Sequence, residues 1–131
     1  MTPRVCKIKH NPPKSYGDCV AACVATLIDR DDVPHTFDGR DAESAWSDLR
    51  AYLNQHGMTL SVFASEEDPR DHMGVNNPDT PYMLMCSTSE GNHAVVCVGS
   101  EVFHDPSWYK MIIRGGTDMG VWVVGVITCL K

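Results

Sequence analysis

The apolar positions along this chain change period more than once, and each change marks an element. Residues 1–17 carry Pro3, Pro12, Pro13 and Gly17 with no sustained period, so the chain begins as an extended segment. From Cys19 the spacing becomes helical: Val20, Cys23, Val24, Leu27 and Ile28 share one face at about 100° per residue. Asp18 stands where an N-cap belongs, and Asp29, Asp31, Asp32 and Pro34 close the segment. A second helix is expected over residues 41–56, with Ala42, Ala45, Trp46, Leu49 and Leu53 as its buried stripe. Asp41 and Glu43 suit the positive end of its dipole, and Gly57 suits the left-handed position beyond it. Residues 58–64 read as a strand. Residues 65–81 carry Pro69, Gly74, Pro78 and Pro81 among acids and show neither period. They are expected to form a long loop, either covering a site or running over the surface.

From residue 82 onward the pattern is strand throughout: 82–87, 93–98, Glu101–His104, 111–114 and 121–129. Short intervals carrying Gly99, Gly115 and Gly116 separate them, which points to an antiparallel meander. Helices first and strands after make the class α+β. A length of 131 residues suits one core, so residues 1–131 are expected to form a single domain.

A net charge of -6 argues against a sequence-independent grip on nucleic acid, which needs a Lys/Arg stripe. Lys7, Lys9 and Lys14 form only a loose, solvated cluster. No run approaches the ~20 apolar residues of a membrane span. Residues 1–13 are basic and proline-bearing with no apolar run, so no secretory signal is expected. Six cysteines without an export signal read as free thiols in a reducing cytoplasm. Of these, Cys23, Cys97 and Cys129 fall in apolar runs and are expected to be buried and inert.

Cys19 is different, because it lies at the edge of the first helix's stripe, in the first turn. The unpaired N–H groups and dipole at a helix N-terminus favour a thiolate there. A thiolate nucleophile needs an imidazole, and His93 opens the apolar strand 93–98. It is expected at a strand end, reaching into a cleft and mattering little for packing. The Gly99-Ser100 pair then returns the chain beside it. A three-residue turn sets residue 105 opposite residue 93; a two-residue turn sets 106 there and brings His104 to the imidazole's face. Asp105 is therefore preferred as the acid that fixes the ring's tautomer, with His104 as reserve orienter. His10, His35, His56 and His72 read as surface residues. Trp46 and Trp122 fall on core patterns. Trp108 and Tyr109 follow Asp105-Pro106 and either wall the cleft or pack in the core.

Gly17-Asp18-Cys19 with its apolar helix, Asn92-His93-Ala94-Val95-Val96, and His104-Asp105-Pro106 together resemble the papain-like cysteine peptidase superfamily. Within it they are most similar to the small bacterial and phage branch that includes the bacteriocin-leader-processing peptidase domains. The Val33-Pro34-His35 step resembles one in phage and actinobacterial proteins of that kind. The resemblance implies a papain-like fold with N-terminal helices packed on a C-terminal antiparallel sheet. It also implies no cofactor, Cys19 as nucleophile, His93 as general base and acid, and Asp105 as orienter. The expected reaction is cleavage of an amide bond, peptide or isopeptide, through an acyl-Cys19 intermediate. Such enzymes place a Gln several residues before the nucleophile, where it helps hold the oxyanion. Residues 7–18 contain none, so Asn11, and more weakly Ser15, are the side-chain donors on offer beside the backbone N–H of Cys19.

The partner implied is a peptide or protein substrate. In the alternative, where the cleft only binds, it is a host protein targeted by a phage-type inhibitor or decoy. The motif order is also similar to the NlpC-type cell-wall peptidases, whose third residue is often a His at the place of His104, but Asp105-Pro106 fits the other branch. Cys19, Cys23, His93 and His104 are types suited to tetrahedral zinc. Two cysteines four apart on one helix, one of them in the apolar stripe, make an unusual half-site, and no metal is expected.

Overall fold

The computed structural model of the protein describes residues 1–107 and 111–130. Its helices are α1 (Cys19–Ile28), α2 (Ala42–Gln55) and α3 (Arg70–Asn76). Its strands are β1 (Met58–Ser65), β2 (Pro81–Thr88), β3 (Gly91–Val98), β4 (Glu101–His104) and β5 (Trp122–Cys129). All five join one antiparallel sheet in the order β1-β5-β2-β3-β4, so the fold is α+β. One sheet face packs α1 and α2 through Val20, Val24, Leu49 and Leu53 against Leu60, Met83, Ala94 and Val96. The opposite face carries a second cluster, in which Met73 of α3 meets Tyr82, Leu84, Val95 and Trp122.

α2 follows its sequence signals closely. Asp41 caps it, accepting the N–H of Ser44 at 2.9 Å, and Gly57 takes the left-handed φ of 73° beyond it. α1 departs from the narrow stripe its period suggests, since residues 20–26 are all buried. The cause is the N-terminal segment, which runs back along the helix. Its amides donate to α1 or the residues flanking it: Thr2 N–H to Asp29 Oδ1 (2.6 Å), Arg4 N–H to Thr26 Oγ1 (3.0 Å), and Lys7 N–H to Asp18 Oδ1 (3.0 Å). A strand-like segment without a strand partner is thus satisfied by side chains.

Three expectations about the later chain are corrected. Residues 65–81 are not a continuous loop: they contain α3, which lies on the sheet face away from α1 and α2 and so does not cover the site. With seven residues and Met73 as its one buried position, α3 is too short to display a period. Gly74 is needed within it, because a Cβ there would sit 2.8 Å from Ser100 Cβ. Residues 111–114 are not a strand. Arg114 N–H bonds Ser87 O and Ser87 N–H bonds Gly115 O in a single bridge, while Ile112 is solvent-exposed. Finally, β5 does not extend the meander beyond β4. It inserts between β1 and β2, where Val124 is fully buried.

Thr26 couples the N-terminal segment to α1, because its hydroxyl also donates to Ala22 O at 2.8 Å. Thr26→Val keeps the shape but leaves the Arg4 amide without its acceptor. We expect a loss of about 1–2 kcal/mol in denaturant-induced unfolding, together with faster amide exchange at Arg4.

Candidate active site

The first residue of α1 is Cys19. Asp18 precedes it at the N-cap position, yet its side chain makes no capping bond to the helix, so the N-cap residue leaves the N–H groups of the first turn open. The positive end of α1 therefore faces whatever lies beside Cys19. What lies there is a cleft of about 310 Å³. Cys19 and Val20 line it from α1, Met85 from β2, His93 from β3, Phe37 from the α1–α2 connection, and Cys6 and Ile8 from the N-terminal segment. The lining is mainly apolar, with Lys9 and Glu90 also contributing.

His93 is buried, and its Nε2 lies 2.7 Å from Asp105 Oδ1. That bond engages Nε2 and leaves Nδ1 as the other ring nitrogen, and Cys19 lines the same cleft near enough to act on the ring's charge. Burial opposes charge on the ring most strongly. The bond to Asp105 and the interaction with Cys19, with the attraction of their charges, outweigh it and lift His93 from 6.5 to about 9. Asp105 is also desolvated, but donors surround it. Oδ1 receives His93, the Ser107 hydroxyl (2.6 Å) and the Ser107 N–H (3.0 Å), and Oδ2 receives the Met111 N–H (3.0 Å). These hold its pKa well below the ordinary carboxylate range. The result is an imidazole hydrogen-bonded to an oriented carboxylate, with the Cys19 thiol lining the same cleft.

The route by which Asp105 reaches His93 is not either register considered from sequence. Val98 pairs with Glu101 across a two-residue Gly99-Ser100 turn, and Cys97 pairs with Val102. Val96 then pairs with His104, so Phe103 is an extra residue in a bulge. One inserted residue exchanges the faces of everything after it. His104, which the unbulged turn would bring to the imidazole, instead hydrogen-bonds Arg4 O through Nε2, and Asp105 takes its place. His104 is therefore not an orienter of His93.

Other expected site residues are also relocated. Asn11 and Ser15 do not line the cleft. They close a tight turn on each other, Asn11 N–H to Ser15 O at 3.0 Å, and the Ser15 hydroxyl donates to Lys9 O. Trp108 and Tyr109 lie outside the described residues. His93 lines the cleft, but its burial and its bond to Asp105 correct the view that it matters little for packing. Cys129 is exposed rather than inert, since β5 runs out of the core at its end. His10, read as a surface residue, is exposed yet lines the cleft, its Nδ1 accepting the Gly17 N–H. Sequence reasoning missed Ser107 as the anchor of Asp105, and Cys6 as a second thiol in the cleft. Ser107 had a readable signal, two residues after an Asp, where an Asx-type turn forms. Cys6 had none. Burial, then the negative neighbours Cys19, Asp18 and Asp105, push Cys6 up to about 12.

Among the described residues, no group of three or more His, Cys, Asp or Glu side chains is placed to hold a metal ion. No helix among them is long and apolar enough to cross a membrane. No protein-family model matches the chain, and no curated protein or solved structure shows significant similarity to it.

Burial, ahead of the charges nearby, carries Cys23 well above its ordinary range and pushes Cys86 and Cys97 up to about 12. Near pH 7, mass-spectrometric mapping should therefore find Cys19 and the exposed Cys129 alkylated first, with Cys23, Cys86 and Cys97 unlabelled until unfolding. Labelling of Cys6 ahead of Cys19 would make Cys6 the candidate nucleophile instead.

His93 and Asp105 also make stability depend on pH. A histidine raised from 6.5 to about 9 stabilises the fold fully below pH 6.5 and loses that contribution as pH rises through about 9. Asp105, lowered from 3.8, contributes above that value and loses its contribution on acidification. His93→Ala should thus cost on the order of 2–3 kcal/mol at pH 6, and clearly less at pH 10, in urea titrations. A deficit that grew toward alkali would contradict the assigned coupling.

Proposed function

We propose that the chain is a papain-like thiol hydrolase that cleaves an amide bond, peptide or isopeptide, through an acyl-Cys19 intermediate. The observation that carries this reading is the series Cys19–His93–Asp105, with the thiol at the uncapped N-terminus of α1 and Nε2 of the imidazole 2.7 Å from the carboxylate. In the reaction the Cys19 sulfur attacks the carbonyl carbon, and its proton rests on His93 Nδ1. Asp105 holds the ring from the other side and stabilises the imidazolium. Collapse of the tetrahedral intermediate breaks the C–N bond, and His93 returns the proton to the leaving amine. Water, deprotonated by the same imidazole, then attacks the thioester and frees Cys19. The apolar walls Ile8, Val20, Phe37 and Met85 suit an acyl group bearing an apolar side chain.

The oxyanion would rest on the backbone N–H groups that open α1. The side-chain donors considered, Asn11 and Ser15, lie outside the cleft. Lacking one such donor costs about 2.7–4 kcal/mol of transition-state stabilisation, so acylation should be slow. The same observation favours a second reading, in which the cleft binds a host protein without chemistry, as a phage-type inhibitor or decoy would.

An activated acyl ester separates the two. Intact-mass measurement should show one acyl group on Cys19 of the wild type and none on Cys19→Ala. His93→Gln should acylate at least about a hundredfold more slowly, as expected for loss of the general base. If wild type and both variants stay unmodified, and the variants keep the full biological effect, the cleft is a binding surface.

A further inference from the structure

The chemistry above makes no use of Asp18, although the residue is only 7 % exposed and stands next to the nucleophile. Its bonds go across the cleft wall and not into the helix. Oδ1 accepts the N–H of Lys7 at 3.0 Å and of Ile8 at 3.1 Å, and Oδ2 takes a second contact from Lys7 at 3.2 Å. One residue earlier, the Cys6 N–H donates to Pro106 O at 2.7 Å, directly after Asp105. Residues 6–8 are therefore held at two points, one beside Cys19 and one beside Asp105. The side chains of Cys6 and Ile8 from this stretch line the cleft.

We propose that Asp18 is a positioning residue for the reaction. It pins residues 6–8 over the Cys19 thiol and so forms the apolar subsite in which the acyl group sits. The proposal rests on the reading of Cys19 as nucleophile. A carboxylate at the N-cap would ordinarily close the first turn of the helix. Directed at the wall, it builds the subsite and leaves those N–H groups to the oxyanion. Because Oδ1 accepts both amides at the shorter distances, one oxygen in that place suffices, and the task needs an acceptor and not a charge. Asparagine, with the same oxygen in the same place, should perform it, and alanine should not.

The test reads thiol alkylation, so it stands whether or not the protein turns over any substrate. Rates of Cys19 modification are measured for iodoacetamide and for its N-benzyl derivative, which places an apolar ring in the subsite. The wild type should prefer the benzyl reagent and saturate with it. Asp18→Ala should lose about tenfold of that preference while its iodoacetamide rate stays within about threefold, and Asp18→Asn should restore it. Amide exchange at Lys7 and Ile8 should be slow in the wild type and Asp18→Asn and fast in Asp18→Ala. A folded Asp18→Ala that keeps the preference overturns the proposal, as does an Asp18→Asn that loses it. Should Asp18→Ala not fold, Asp18→Asn decides: retained preference with slow exchange supports the assignment, and loss of either ends it. Failure of acyl transfer on every ester tried would remove the hydrolase reading and leave these rates unaffected.

Discussion

An extended segment laid along a helix must find partners for backbone amides that have lost water, and this protein finds them in α1 and its flanking residues. Asp29, Thr26 and Asp18 stand at successive levels along that helix, and each accepts an amide from the first eight residues. An unpaired buried amide costs more than a hydrogen bond returns, so the three acceptors dictate where the segment lies. The segment in turn covers the side of α1 that the sheet does not. It supplies one wall of the cleft and ties down the residues on either side of Asp105 through the Cys6 amide and the Arg4 carbonyl.

The electrostatics of the site follow from that enclosure. His93 and Asp105 are both largely withdrawn from solvent, where an isolated charge would be costly. They are tolerated as a pair because the carboxylate collects four donors from the imidazole, Ser107 and Met111. A carboxylate so fully engaged is a poor proton acceptor. It holds the ring in place and would leave proton transfer to the imidazole, the division of labour that the proposed acyl transfer requires.

Much of this was legible in the sequence where a signal is local. The helical period after Cys19, the cap and glycine of α2, and the apolar runs of β2, β3 and β5 depend on neighbours a few residues apart. Cys19 and His93 could be read from their places at the ends of such elements. What could not be read depends on distant pairing. The insertion of β5 beside β1, the enclosure of α1 by the N-terminal segment and the turning of Asp18 away from its own helix are decided by residues far along the chain. α3 escaped notice for a different reason, since seven residues around a single Met73 contain too little periodicity to register. Asn11 and Ser15 have donor chemistry in the stretch before Cys19, but the tight turn they close on each other keeps them out of the cleft, which no local signal announces.

The bulge at Phe103 carries a consequence for how such a site can change over time. Strand β4 hands either His104 or Asp105 to the imidazole according to whether one extra residue is present between Val102 and His104. Both side chains already stand in the chain, so the choice between an acid and a second imidazole as third partner is made by chain length. A single codon gained or lost there would convert one kind of constellation into the other with every neighbouring side chain unchanged. Lineages carrying this hairpin could therefore differ in their third partner through insertion or deletion while their aligned residues looked the same.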